Sequence, residues 1–166
     1  MAQAARRLPP RRLPCLLASI AAAAALQLPL GALAAPSVQL LLRPSQERFS
    51  SGDPIWWLEV RQGPRLLQRW AAATGQPSKQ TADRFWKPGN GAPLPPGAYS
   101  VGEPEPWNAD LWIGLEPLFE TRRGGLGIHN CFPGVGCICL PKRPQLDQLA
   151  ALIRQHGIRR LEVLQR

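Results

Sequence analysis

The chain has 166 residues and a formal net charge of +9, with 20 Lys or Arg against 11 Asp or Glu. Basic residues do not alternate with aromatic residues in blocks, which argues against a nucleic-acid partner. Nineteen prolines and 15 glycines predict many turns and little helix.

The first 34 residues have the pattern of a secretory signal peptide. Four arginines come first, residues 16–33 are almost purely apolar, and Ala32-Leu33-Ala34 forms a small-x-small cleavage site. We therefore predict export to the periplasm or cell envelope, with a retained membrane anchor as the alternative because the apolar stretch is long. Cleavage would lower the net charge to +5, since the four arginines have no acidic counterparts, and would leave one domain with a single core.

Residues 35–54 are predicted to be a lead-in strand and loop, with the strand at 37–43 ended by Pro44. A second strand at 55–61 alternates apolar and polar residues, and a turn joins it to a hairpin partner at 66–72. The second strand should place three apolar side chains on one face: Trp56, Leu58 and Val60.

Residues 76–92 are polar and interrupted by Gly and Pro, which predicts a long surface loop anchored by Phe85 and Trp86. Residues 94–101 should open with a rigid turn and run into a short strand, and two further strands should follow at 111–115 and 126–129.

After the last of these strands, Pro144 is expected to begin a helix that Gly157 ends. Its apolar face should consist of Leu146, Leu149, Ala150 and Ile153. A strand at 159–164 completes an inventory that is mainly β with one helix near the C-terminus.

Three cysteines remain after the signal peptide removes Cys15, and an odd number in an oxidising compartment implies a free thiol or an intermolecular bridge. A bond between Cys131 and Cys139 would close a small loop around Cys137, provided their Cα atoms lie within bridging range. This pairing is a hypothesis. It would leave Cys137 as the working thiol.

A cysteine nucleophile needs a base, backbone N–H groups for an oxyanion and space for a substrate. His129 is the candidate base for Cys137, because the other histidine, His156, falls in the last turn of the predicted helix. Gly136 allows close backbone approach, and the N–H groups of Gly136 and Cys137 are candidates for an oxyanion hole.

Four short motifs follow one another along the chain. They are Thr74-Gly75, Pro96-Gly97-Ala98-Tyr99, Ile128-His129 and Gly134-Val135-Gly136-Cys137-Ile138. In this order the chain resembles the L,D-transpeptidase catalytic domain of bacterial peptidoglycan metabolism, over about residues 55–164. Val135 stands where the family has a second histidine, and Cys139 where it has Arg or Asn, so the resemblance is to a divergent member.

The resemblance implies a β-sandwich of mixed sheets with one C-terminal helix, and a catalytic domain at 55–166. It implies that Cys137 is the nucleophile and His129 the base, with the backbone carbonyl of Asn130 orienting the imidazole. The substrates would be peptidoglycan stem peptides, and the thioester chemistry would use neither a cofactor nor a metal.

Three further side chains are candidates for substrate contact. Trp86 and Trp107 lie in Pro/Gly-rich segments, although most tryptophans belong to the core. Arg122-Arg123 is expected on a solvated turn, where Arg123 is also a candidate partner for a carboxylate of the stem peptide.

Two alternatives remain open. The first is a zinc site, because His129, Cys131, Cys137 and Cys139 are suitable ligand types in a compressed spacing. The second is a domain of the same fold that binds the cell wall without catalysis.

Overall fold

The computed structural model describes residues 36–132 and 136–165. The signal peptide predicted at 1–34 therefore lies outside the described residues. Within the two described ranges, no helix has the length and apolar character needed to cross a bilayer.

The described residues form eight strands, one short 3₁₀ segment and one α-helix. In chain order these are β1 Val38–Arg48, β2 Pro54–Gln62, β3 Arg65–Thr74, the 3₁₀ segment Pro77–Lys79, β4 Gly97–Trp107, β5 Asp110–Pro117, β6 Leu126–His129, β7 Ile138–Cys139, α1 Arg143–His156 and β8 Arg160–Val163.

The strands close into one barrel in the order β1-β2-β3-β7-β6-β5-β4-β8. The pairs β1–β8 and β6–β7 are parallel, and the others are antiparallel. The expected mainly β fold with mixed pairing and one C-terminal helix is confirmed. The expected sandwich is instead a single closed sheet, because β8 pairs with β1 on one side and with β4 on the other.

The barrel encloses one hydrophobic core, built by the alternation of side chains along each strand. On β2, the three side chains predicted to share a face are at most 1% exposed. The helix α1 is also confirmed: its four predicted apolar residues are buried, and Gly157 ends it in the left-handed conformation at φ 59°.

Two strand boundaries differ from the sequence predictions. β1 does not end at Pro44, which still pairs with Trp56; a register shift between Pro44 and Arg48 lets the strand continue. β1 pairs with both β2 and β8, so the lead-in segment is an integral wall of the barrel. β4 extends to Trp107, well beyond the short strand predicted at the end of residues 94–101.

Tyr99, in the third position after Pro96, is fully buried, and its hydroxyl donates to the carbonyl of Pro95 at 2.7 Å. Gly97 lies against the ring of Phe119, with φ 137°, where a Cβ would overlap that ring. The Pro-Gly-x-Tyr motif therefore fixes the entry of the chain into β4.

Candidate functional site

The site is built where β6 and β7 run side by side in parallel. Ile128 pairs with Ile138, and both side chains are fully buried in the barrel core. Because successive side chains of a strand point to opposite faces, His129 and Cys139 turn to the outer face. Cys137 comes directly before β7. The pairing thus brings the strand that carries the predicted base next to the strand that the predicted nucleophile precedes.

A disulfide joins Cys131 to Cys139, with their Cα atoms 4.9 Å apart. The hypothesised pairing is therefore present in the structure, and Cys137 is the free cysteine of the described residues. One nitrogen or sulfur atom from each of His129, Cys131 and Cys139 falls within a 4.8 Å cluster. The two sulfurs are bonded to each other, however, and zinc needs them as thiolates.

The thiol of Cys137 is partly exposed, and its sulfur lies 3.8 Å from the carbonyl oxygen of Gly125. Burial raises the pKa of this thiol, while the backbone of Gly127 and the positive charge of Arg123 act to lower it. The raised pKa means that the thiol is protonated near neutral pH, so attack on a carbonyl requires a base.

The imidazole of His129 faces the disulfide. Its Nε2 atom lies 3.2 Å from the sulfur of Cys131, and its Nδ1 atom is buried without a hydrogen-bond partner among the described residues. Burial lowers the pKa of His129, and the charge of Asp110 and the backbone of Asn130 oppose that shift. The ring is therefore neutral near pH 7 and able to accept a proton.

Cys137 and His129 share no hydrogen bond in residues 36–132 and 136–165. The thiol contacts Gly125, and the imidazole contacts Cys131. Proton transfer between the two therefore requires the imidazole to turn away from the disulfide or the thiol to turn toward it.

Two tryptophans form an aromatic wall around His129. The rings of Trp107 and Trp112 lie 5.3 and 5.4 Å from the imidazole, and a Cβ on Gly127 would overlap the indole of Trp112. A cavity of about 320 Å³ lies beside this wall and is lined by Glu105, Trp107, Trp112 and Gly125. Gly125 lines this cavity and its carbonyl also contacts the thiol of Cys137, although Cys137 is not itself a lining residue.

The two tryptophans predicted for substrate contact are in different places. Trp107 is 47% exposed and belongs to the aromatic wall. Trp86 is 51% exposed, but it lines a separate apolar cavity of about 450 Å³ with Phe85 and Leu118. Trp112 was not predicted for the site, because its place in an apolar strand is typical of a core residue.

Arg122 is exposed, as expected for a solvated turn, but Arg123 is not: it is only 7% exposed. The guanidinium of Arg123 donates to the carbonyls of Arg84 at 3.3 Å and Ala92 at 3.4 Å. Burial lowers the pKa of Arg123, against the opposing effects of Tyr99, Cys137 and Asp83. The prediction of a solvated Arg123 is therefore wrong, since the loop before Leu94 folds over it.

Asn130 is held from two sides. Its backbone N–H donates to Asp110 Oδ2 at 3.0 Å, and its side-chain amide donates to the carbonyl of Leu140 at 2.7 Å. Asp110 is a site residue that the sequence did not reveal. Its other oxygen is buried without a hydrogen-bond partner in the described part of the chain, 3.5 Å from a guanidinium nitrogen of Arg143.

No protein-family model matches the chain, and no curated protein matches it. The likeness to the L,D-transpeptidase domain therefore depends on the four sequence motifs. The structure around Cys137 is a second line of argument about the chemistry of this thiol, and it does not depend on those motifs.

Proposed function

We propose that this protein is an exported cysteine acyltransferase that acts on peptidoglycan stem peptides, with L,D-transpeptidase or L,D-carboxypeptidase chemistry. One observation carries the proposal: among the described residues Cys137 is the free thiol, and it directly precedes β7, which pairs in parallel with β6, the strand that carries His129. The disulfide between Cys131 and Cys139 supports export, because such bonds persist in oxidising compartments.

The first half of the reaction transfers an acyl group to sulfur. His129 takes the proton of Cys137, and the thiolate attacks a carbonyl carbon of the donor stem peptide. A C–S bond forms, the C–N bond breaks, and the departing terminal D-amino acid takes the proton from the imidazolium. The second half reverses these roles: an amine or water attacks the thioester and releases the thiolate of Cys137.

The backbone N–H groups of Gly136 and Cys137 are the candidate oxyanion donors. Each such donor typically lowers the barrier by about 3 kcal/mol. The bonds that form and break are C–S, C–N, S–H and N–H, together with C–O and O–H when water is the acceptor, so the reaction balances without a metal or an organic cofactor.

A carbapenem is the direct probe, because its strained lactam acylates an activated thiol and leaves a stable mass increment. The mature protein and its Cys137→Ala variant are incubated with the carbapenem, and intact mass is measured. We expect a one-to-one adduct on the wild-type protein and none on the variant. A wild-type protein that forms no adduct and does not release D-amino acids from stem tetrapeptides contradicts the proposal.

A second candidate is a domain that binds the cell wall without catalysis. The observation that favours it is the separation of the two side chains, with His129 turned to the disulfide and a thiol whose pKa is raised by burial. This candidate predicts that wild type and Cys137→Ala cosediment equally with peptidoglycan sacculi, and that neither forms a carbapenem adduct.

A further inference from the structure

Arg123 is a buried cation with no described carboxylate within ion-pair distance, and Asp83 acts on it only from farther away. It is 7% exposed, and it forms no ion pair within the described ranges 36–132 and 136–165. The neighbouring residues 133–135 are Pro, Gly and Val, which carry no acidic group. Burying a guanidinium without a direct ion pair is costly, so an anion that forms next to Arg123 would be stabilised by it.

The guanidinium of Arg123 lies next to the backbone of Gly136, which precedes Cys137. A Cβ placed on Gly136 would overlap Nη2 of Arg123, so the guanidinium lies directly against the residue that precedes Cys137. Gly136 has φ 105°, a conformation that disfavours any side chain. The absence of a side chain at Gly136 is thus what lets the cation approach the backbone of the nucleophile.

We propose that Arg123 is the charge partner of the Cys137 thiolate: its buried guanidinium stabilises the sulfur anion once the proton has left. The S–H bond breaks, the proton goes to the imidazole of His129, and no electrons are exchanged with an oxidant. The proposal deepens the proposed function, since the thiolate of Cys137 is the nucleophile of that reaction.

This role differs from the substrate contact expected for Arg123. Two of its nitrogens already donate to the carbonyls of Arg84 and Ala92, and 7% exposure leaves little of the guanidinium for a substrate carboxylate. A thiolate formed within the protein needs no such exposure.

The charged and titratable groups around the thiol come from several elements. Arg123 and the backbone of Gly127 favour the thiolate of Cys137. Asp83 and Tyr99 interact electrostatically with Arg123, and Asp110 with His129. Tyr99 is neutral at ordinary pH, because burial raises its pKa.

The test is the pH dependence of thiol alkylation. Full-length wild type, Arg123→Gln and the exposed neighbour control Arg122→Gln are treated with iodoacetamide from pH 5 to pH 11, and modification of the Cys137 peptide is followed by mass spectrometry. We expect Arg123→Gln to raise the midpoint, the pH at which the alkylation rate of Cys137 is half its maximum, by about one pH unit. At a given pH below the midpoint this means about tenfold less thiolate. Arg122→Gln should keep the wild-type midpoint.

A second variant keeps the test decisive if Arg123→Gln does not fold. Gly136→Ala retains the charge but displaces the guanidinium from the backbone, so its midpoint should also rise. A folded Arg123→Gln or Gly136→Ala protein with the wild-type midpoint overturns the proposal. An unchanged midpoint with weaker binding of carboxylate-bearing donors also overturns it, because Arg123 would then be a substrate contact.

Failure of this proposal is distinguishable from failure of the proposed function. A midpoint that moves in a protein that forms no carbapenem adduct supports the role of Arg123 and rejects the acyltransferase. A carbapenem adduct with a midpoint that does not move supports the acyltransferase and rejects the role of Arg123.

Discussion

Gly75, directly after β3, allows the end of the 76–92 loop to pack against that strand. It has φ 69°, and a Cβ there would overlap the backbone nitrogen of Pro93. The neighbouring Thr74 hydroxyl accepts the N–H of Leu94 at 2.9 Å. The Thr-Gly step therefore fastens the far end of the 76–92 loop to β3, and glycine is required there for both conformation and space.

Replacing Gly75 with Ala should destabilise the protein more than the same change at Gly89. Gly89 has a similar φ of 71°, but no atom lies within 4 Å of a Cβ there. We expect Gly89→Ala to lower the free energy of unfolding by about 1 kcal/mol, the cost of the left-handed conformation alone. Gly75→Ala should lower it by about 3 kcal/mol, because Pro93 must also move. Urea denaturation measures both, and equal losses would contradict the overlap with Pro93.

At the level of single residues, the sequence identifies the reactive groups better than their surroundings. Cys137 and His129 stand out by residue type and spacing, and the three cysteines left after the signal peptide are enough to hypothesise the bond between Cys131 and Cys139. The burial of Arg123 and the contact between Asp110 and Asn130 depend on segments far apart in the chain. No local pattern encodes either contact.

A buried carboxylate with two arginine partners joins β1 and β2 in the barrel wall. Glu59 is only 1% exposed, although its side chain is on the outer face of β2. Arg43 and Arg61 donate to its two carboxylate oxygens at 2.8 and 2.6 Å. Burial raises the pKa of Glu59, but the hydrogen bonds and the positive charges of Arg43 and Arg61 together outweigh burial and hold the pKa below its ordinary value.

This shift predicts a pH-dependent stability. Because the pKa of Glu59 is lower in the folded state, its contribution is complete above about pH 4.5 and is lost as the pH falls through the folded-state pKa. At pH 7, Glu59→Gln should lower the free energy of unfolding by about 1–3 kcal/mol. The difference from wild type should shrink at pH 3.

Urea denaturation at pH 7 and pH 3 measures the effect, with the exposed Glu47→Gln as the control within about 0.5 kcal/mol of wild type. A difference of the same size at both pH values would show that the ionised carboxylate of Glu59 is not what stabilises the wall.

Elements with a long, regular pattern could be predicted, and short or bulged ones could not. β2 is recognisable from its alternating apolar and polar residues, and α1 from apolar residues at helical spacing. β7 has only Ile138 and Cys139, too few residues for any periodicity. β1 passes through Pro44 because the register shift that follows this residue accommodates a position without an N–H, which the sequence does not show.

On the scale of the whole molecule, closure of the barrel creates the candidate site. The parallel pairing of β6 with β7 brings the strand that carries His129 beside the strand that Cys137 precedes, and β3 pairs with β7 on its other side. The difference between a sandwich and a barrel depends on β8 bridging β1 and β4, a pairing between distant segments. The sequence therefore predicts a mainly β fold but not its closure.

The most direct test of the central claim, that His129 serves Cys137 as its base, is the rate of acylation of Cys137 by a carbapenem. The rate is compared in wild type, His129→Gln and His156→Gln, where His156 is the other histidine of the chain and is exposed at the end of α1. The account predicts a loss of about 100-fold or more for His129→Gln, the usual contribution of a general base, and the wild-type rate for His156→Gln. A folded His129→Gln protein that is acylated as fast as wild type would contradict it.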